Sequence, residues 1–333
     1  MKRKGISKIL VGVCLILVLA ILFMSGCGPA MTYKIGLSQL LTHPSLDATR
    51  EGIIDGLADN GYVEGDNLEI DYQNSELDMT LVATIAQQFV SDMVDAMITI
   101  ATPNSQAAIS AAEGTDIPVI FTAITDPVGS EMVVDWDNHP DENVTGVSDM
   151  LPVAENLDLI LEVVPGVETI GTMYNAGESN SVYLVGKLIE ACDAFDIEVV
   201  ESPVATSADI LAAANSLVGR GVDVIWIGTD NTVVSGLEAL IGVCEDNQVP
   251  LFASDDPSME RGAIAGWGFD YYDIGYQTGE MVAKILDGDG TANDVPVEKG
   301  KIVFLSVNTA AAEIMGVTIP QSIVDEAKVV YEE

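Results

Sequence analysis

The chain has 333 residues, 48% hydrophobic and 6% aromatic, with 13 basic residues against 52 acidic ones and a net charge of −39. That length exceeds one comfortable core and implies two domains, and the hydrophobic content excludes a disordered chain. The charge excludes nucleic acid as a partner, and two histidines without a C-x-x-C pair leave no pattern for a zinc or haem site, so neither metal nor cofactor is expected.

The N-terminus reads as a targeting segment. Lys2, Arg3, Lys4 and Lys8 precede an uncharged apolar run from Ile9 to Met24, followed by Ser25-Gly26-Cys27. As a helix the run would reach roughly 24 Å, short of a hydrocarbon core of about 30 Å, so residues 1–26 read as a cleaved signal. Met24-Ser25-Gly26-Cys27 resembles a bacterial lipobox with Met where Leu is commonest, which would make Cys27 the lipid-modified residue. An ordinary signal peptide and an uncleaved anchor are the alternatives; all three put the rest of the chain outside the cytoplasm. From Cys27 onward, 9 basic residues face all 52 acidic ones, a net charge of −43. Salt screens such self-repulsion, so the melting temperature is expected to climb steeply with ionic strength; a flat response would refute this.

Tyr33 to Leu40 reads as the first strand, and Thr42-His43-Pro44-Ser45 as a loop with capping chemistry that opens a helix to about Asn60. A strand from Leu68 to Tyr72 and a helix from about Met79 to Asp92 follow. Asp95 to Pro127 holds an apolar run closed by Thr102-Pro103, a helix-length interval, and a second apolar run closed by Asp126-Pro127. This is the pattern of two buried parallel strands joined by a crossover helix. Residues 128–152 are turn-rich around the short strand Val144 to Val147 and read as the hinge. Further on come a strand from Thr169 to Tyr174, a helix capped around Glu178 to Ser181, a strand from Glu198 to Ser202, and another helix.

Residues 222 to 257 then repeat the earlier unit. Asp95 answers to Asp223, Thr102 to Thr229, Pro118 to Pro250, and Asp126-Pro127 to Asp256-Pro257. An offset of about 130 residues means two similar domains rather than a solenoid. A strand ending at Phe269, an amphipathic helix from Tyr271 to Leu286 and a strand from Ile302 to Val307 complete the reading. Cys192 and Cys244, separated by a third helical segment, read as two buried thiols. The expected fold class is α/β: two doubly wound parallel-sheet lobes joined by a multi-strand hinge. Residues 33–149 with about 271–300 form one lobe, and 150–270 with about 301–333 the other.

Open α/β sheets bind ligands at the carboxyl ends of their strands. There the sequence puts Thr102 to Gln106, Thr125-Asp126, Asn175 to Ser181, Thr229 to Thr232 and Asp255, with no Lys or Arg among them. Helix openings near Ser105 and Ser181 would favour a carboxylate, while Asp126, Asp230, Asp255 or Asp256 could hold an ammonium group. Each residue alone is equally well explained as a cap or a turn; the cluster is what points to one cleft. Phe269, Tyr271 and Tyr272 could supply an aromatic wall or pack at the hinge. No G-x-G-x-x-G follows the first strand, and no Walker A or G-x-S-x-G occurs, so no enzyme is expected.

The strings H-P-S-L-D-A-T-R-E-G (43 to 52), T-P-N-S-Q-A-A (102 to 108), P-V-I-F-T-A-I-T-D-P-V (118 to 128), N-V-T-G-V-S-D (143 to 149), Y-N-A-G-E-S-N-S (174 to 181) and F-D-Y-Y-D-I-G (269 to 275) resemble the solute-binding lipoproteins of ABC importers. The similar branch has the type I periplasmic-binding-protein fold and includes binders of tryptophan and other aromatic amino acids. The resemblance implies a lipid-anchored, extracytoplasmic monomer that closes two lobes on a small amino-acid-like ligand and delivers it to an ABC permease. It implies ligand contacts at His43, Thr102, Ser105, Thr125, Asp126, Asn175, Ser179, Asn180, Asp230 and Asp255, with aromatic residues such as Tyr271 against the side chain. A sensor lipoprotein serving a membrane receptor, and an extracellular hydrolase, are the alternatives.

Overall fold

The computed structural model describes residues 32–137, 143–288 and 291–332. The leader, Cys27 and His139 lie outside them.

The strands are, in chain order, β1 (Tyr33–Gln39), β2 (Leu68–Asn74), β3 (Ala96–Ile100), β4 (Val119–Ile124), β5 (Val144–Ser148), β6 (Thr169–Asn175), β7 (Glu198–Val204), β8 (Val224–Trp226), β9 (Leu251–Phe252), β10 (Ala265–Phe269), β11 (Glu298–Lys299), β12 (Val303–Asn308) and β13 (Val329–Tyr331). They form two sheets, ordered β11-β5-β4-β3-β1-β2 and β13-β12-β10-β9-β8-β6-β7. Every residue of β3, β4 and β5 is buried, as parallel strands with helices on both faces require, whereas the edge strand β2 is half exposed. The sequence repeat has a shared task. Asp95 accepts the Lys34 backbone N–H at 2.7 Å, and Asp223 accepts those of Glu168 and Thr169 at 2.9 and 2.8 Å. In each lobe this carboxylate, entering one strand, ties down the start of its neighbour.

The chain crosses between the sheets three times, after β5, after β10 and after β11. The crossings are stitched together, Gly300 N–H donating to the Ser148 carbonyl at 2.8 Å and Asp270 N–H to the Ile302 carbonyl at 3.0 Å. The hinge is therefore narrower than residues 128–152. Val128, Met132, Val133 and Trp136 pack into the first lobe, and only the end of that stretch crosses over.

Two strands depart from the parallel expectation: β12 runs antiparallel to β10, and β13, parallel to β12, shares its direction. Phe269, the last residue of β10, pairs with Val303, the first of β12. The parallel strands end at the hinge, so a segment re-entering from the hinge must run the other way. Cys192 and Cys244 are buried and unbonded, and no helix of the described residues is long and apolar enough to cross a membrane.

Candidate functional site

The carboxyl ends of strands from both sheets face a shared cavity with about 480 Å³ of empty space, part of it open to solvent. The first lobe contributes Leu41, His43, Ser45, Leu46, Ala101, Thr102, Ala123 and Thr125, and the second Asn180, Thr229, Asp230, Asn231, Val234 and Asp255; Asp149 and Tyr271 come from the crossings. The two walls differ in chemistry. The first sets the apolar Leu41, Leu46, Ala101 and Ala123 beside His43, Ser45, Thr102 and Thr125, whereas the second is polar apart from Val234, and no Lys or Arg lines either.

Backbone strain marks the first wall. Ala101 sits at φ 78°, ψ 154°, a region occupied almost only by glycine, and Ala123 at φ 55° interrupts the pairing of β4 with β5. Each such residue costs about 1–3 kcal/mol, and strain of this kind gathers at functional sites. The two alanines are neighbours, because Ala101 N–H donates to the Thr122 carbonyl.

Three buried carboxylates border the cavity, each held differently. Asp230 caps the short helix Asn231–Val234, accepting the Val233 N–H at 2.7 Å and the Asn175 N–H at 2.6 Å. Asp255 accepts only hydroxyls, from Ser258 at 2.5 Å in its own lobe and from Ser45 at 3.1 Å across the cleft. Asp149 accepts the Tyr271 phenol at 2.7 Å and the Thr125 hydroxyl at 3.3 Å. Burial drives the Asp149 carboxyl above the usual range, and the Tyr271 phenol well above its own. His43 is held below its ordinary value, chiefly by burial, with Asp255 opposing and Arg261 reinforcing. It is therefore neutral at pH 7. Its Nδ1 accepts the Ser45 N–H at 3.3 Å, and its Nε2 lies 3.5 Å from the Arg261 guanidinium.

Burial, then the nearby Glu178 carboxylate, pushes Asp230 up to about 6. A carboxyl raised in the folded state binds its proton more tightly there than in the unfolded chain, so it opposes folding once ionised. Lowering the pH from 7 towards 5 should therefore raise stability, and Asp230→Asn should flatten that gain. Urea unfolding across this range is the measurement. Stability falling over that interval in the parent protein contradicts the assignment.

Of the residues expected from sequence, His43, Thr102, Thr125, Asn180, Asp230, Asp255 and Tyr271 line the cavity, and Ser105, Asp126, Asn175 and Ser179 do not. Ser105 turns its hydroxyl to Thr99 and the Ala101 carbonyl, inside the first lobe. Asp126 closes its own turn on the Gly129 N–H. Asn175 supports Asp230 and donates its side-chain amide to Thr232. Ser179 meets Ser130 of the other lobe at 3.1 Å, a lobe-to-lobe contact beside the cavity. Missed in the sequence were Asp149 and Ser45 and the apolar wall of Leu41, Leu46, Ala101 and Ala123. Asp149 could have been found, since it follows a strand as the other candidate acids do. Apolar residues at strand ends look like core.

Two buried atoms on the second wall, Asn180 Oδ1 and Thr229 Oγ1, have no hydrogen-bond partner. The Asn180 amide nitrogen donates to the Thr229 carbonyl at 2.9 Å, so its free atom is an acceptor. The wall thus offers an amide oxygen and carboxylates to a cationic donor.

Comparison with known proteins agrees with this architecture. The family model for ABC transporter substrate binding proteins matches residues 34–331. A protein of Clostridioides difficile described as tyrosine-binding is 41% identical over 264 residues, covering 79% of this chain and 75% of that one. A Streptococcus pneumonia domain solved in complex with L-Trp is 35% identical, with a TM-score of 0.85 and 90% and 99% of the two chains covered. The ligand-free, open structure of a substrate-binding protein with adhesive properties from Clostridium difficile is 36% identical, with a TM-score of 0.69 over 91% and 100%. At nearly equal identity the higher score goes to the liganded structure, in keeping with the Ser45–Asp255 and Ser130–Ser179 contacts that join the lobes here. The chain belongs to the family of ABC transporter substrate binding proteins.

Proposed function

We propose that the chain is the lipid-anchored, extracytoplasmic receptor of an ABC importer and that its ligand is an aromatic L-amino acid, tyrosine or tryptophan. The observation that carries this is a cavity in which the apolar patch of Leu41, Leu46, Ala101 and Ala123 on one wall faces Asp230 and Asp255 on the other, with no Lys or Arg on either. An amino acid with a flat apolar side chain fits that division. Its ammonium group lies against Asp255 and the free Asn180 oxygen. Its carboxylate meets threonine hydroxyls and the N–H groups at Asn180 in the first turn of the helix Ser179–Asp193, which no side chain caps and where the helix dipole favours an anion. Its ring lies on Leu41, Leu46, Ala101 and Ala123. The two relatives known by tyrosine and L-Trp support the choice of side chain.

Asp255 is preferred to Asp230 for the ammonium because its present donors are hydroxyls, which can rotate to accommodate a new cation, whereas both Asp230 oxygens are tied to backbone N–H groups. Thermal-shift and calorimetric titration with the twenty amino acids, sugars and nucleosides test the reading. Ligand at 100 times Kd stabilises by about 2.7 kcal/mol, so tyrosine or tryptophan should give a clear shift. A shift with sugars alone overturns the proposal. Anchoring at Cys27 rests on the Met24-Ser25-Gly26-Cys27 string; Cys27→Ala should release the protein from membranes into the medium.

A further inference from the structure

Tyrosine and tryptophan share what phenylalanine lacks, a hydrogen donor at the rim of the ring. The cavity holds a matching acceptor that the amino-acid head group does not need. Along the first wall, Ala101 follows β3, Ala123 lies near the end of β4, and Asp149 follows β5. These strands are adjacent in the sheet, and Asp149 N–H donates to the Ile124 carbonyl, so the carboxylate directly follows the alanines. The result is a shelf of small residues, held at the cost of two strained backbones, that ends on a carboxylate only 2% exposed. Asp149 has two donors, Tyr271 and Thr125, and a carboxylate can accept about four. No Lys or Arg is paired with it among the described residues.

We infer that Asp149 is the specificity-determining residue of the cleft, accepting the phenol O–H of tyrosine or the indole N–H of tryptophan and thereby rejecting phenylalanine. This rests on the ligand class proposed above. A side chain without the donor would bury the carboxylate edge with nothing to replace its water. Sites built to hydrogen-bond a substrate hydroxyl reject the analogue lacking it by up to roughly 10⁴–10⁵-fold.

The test is calorimetric titration of the wild-type protein with L-tyrosine, L-tryptophan, L-phenylalanine and O-methyl-L-tyrosine, repeated on Asp149→Asn and Asp149→Ala. Wild type should prefer tyrosine to phenylalanine by at least about 100-fold and should bind O-methyl-tyrosine no better than phenylalanine. Asp149→Ala should cut the preference below about 10-fold by losing tyrosine while keeping phenylalanine, and Asp149→Asn should fall between. The wild-type series stands even if the Ala variant does not fold. Equal binding of tyrosine and phenylalanine by wild type overturns the inference and leaves the amino-acid reading intact. So does an equal loss of both ligands in the variants, which would place Asp149 at the ammonium group. Binding of none of the four removes both.

Discussion

Replacing Asp255 by Ala should weaken binding of L-tyrosine or L-tryptophan roughly 30- to 4,000-fold, the consequence of removing one partner of a buried charge pair worth about 2–5 kcal/mol. The magnitude follows from position. Asp255 is 3% exposed, precedes the helix Asp256–Arg261 without bonding to its backbone N–H groups, and touches both lobes through Ser258 and Ser45. A ligand ammonium placed there completes a charge that the protein leaves without a cation. Asp255→Asn separates this role from a structural one. The amide oxygen can still accept from one serine, and the free protein no longer buries an uncompensated charge, so its melting temperature should hold or rise while affinity collapses. Ser45→Ala removes only the bridge between lobes; a neutral hydrogen bond contributes about 1 kcal/mol, so a loss of about 5-fold is expected. Calorimetry on the three variants decides the matter, and an Asp255→Asn protein binding within about threefold of wild type would falsify the assignment.

The two-lobe fold was legible because its signals are local and repeated. Two Asp-led apolar runs, each closed by Thr and followed by a helix, sit half a chain apart, and Asp95 and Asp223 turn out to do the same work in their sheets. The direction of β12 was not legible, because orientation is set by where the hinge returns the chain, a property of three segments far apart in sequence. The site divides along the same line. Polar residues that follow strands announced themselves, yet Asn175 and Ser179 share that signature and serve the scaffold, since cap chemistry and ligand chemistry use the same side chains. The apolar wall was invisible. Only the positive φ of Ala101 and Ala123 distinguishes it from core, and sequence does not encode φ in an alanine.

A second large effect is expected far from any ligand, at Gly275. The helices Pro44–Asp59 and Tyr271–Leu286 meet through Gly52 and Gly56 on one and Gly275 and Gly279 on the other, pairs four residues apart that share a helix face. A Cβ on Gly275 would lie 1.9 Å from the Thr49 carbonyl oxygen; on Gly52 it would lie 2.1 Å from that of Tyr272, and on Gly56 2.4 Å from that of Tyr276. Carbon and carbonyl oxygen approach to about 3.3 Å at closest. The obstructing atoms are backbone, so no rotamer change relieves the clash and one helix must move by roughly 1 Å or more. Tyr272 and Tyr276 resist that movement, donating to Asp55 and Asp59 at 2.7 and 2.9 Å across the same pair. Gly275→Ala should therefore destabilise by about 3 kcal/mol or more, the upper range for overpacking. Because Tyr271 begins the displaced helix and bonds to Asp149 at the hinge, ligand affinity should fall as well. Gly186→Ala supplies the contrast. It lies within the helix Ser179–Asp193, and nothing comes within 4 Å of the place its new methyl group would occupy, so the same substitution should stabilise by about 0.5–1 kcal/mol. Urea unfolding of both variants should give opposite signs; a common sign would mean that helix propensity, not the contact between helices, governs these glycines.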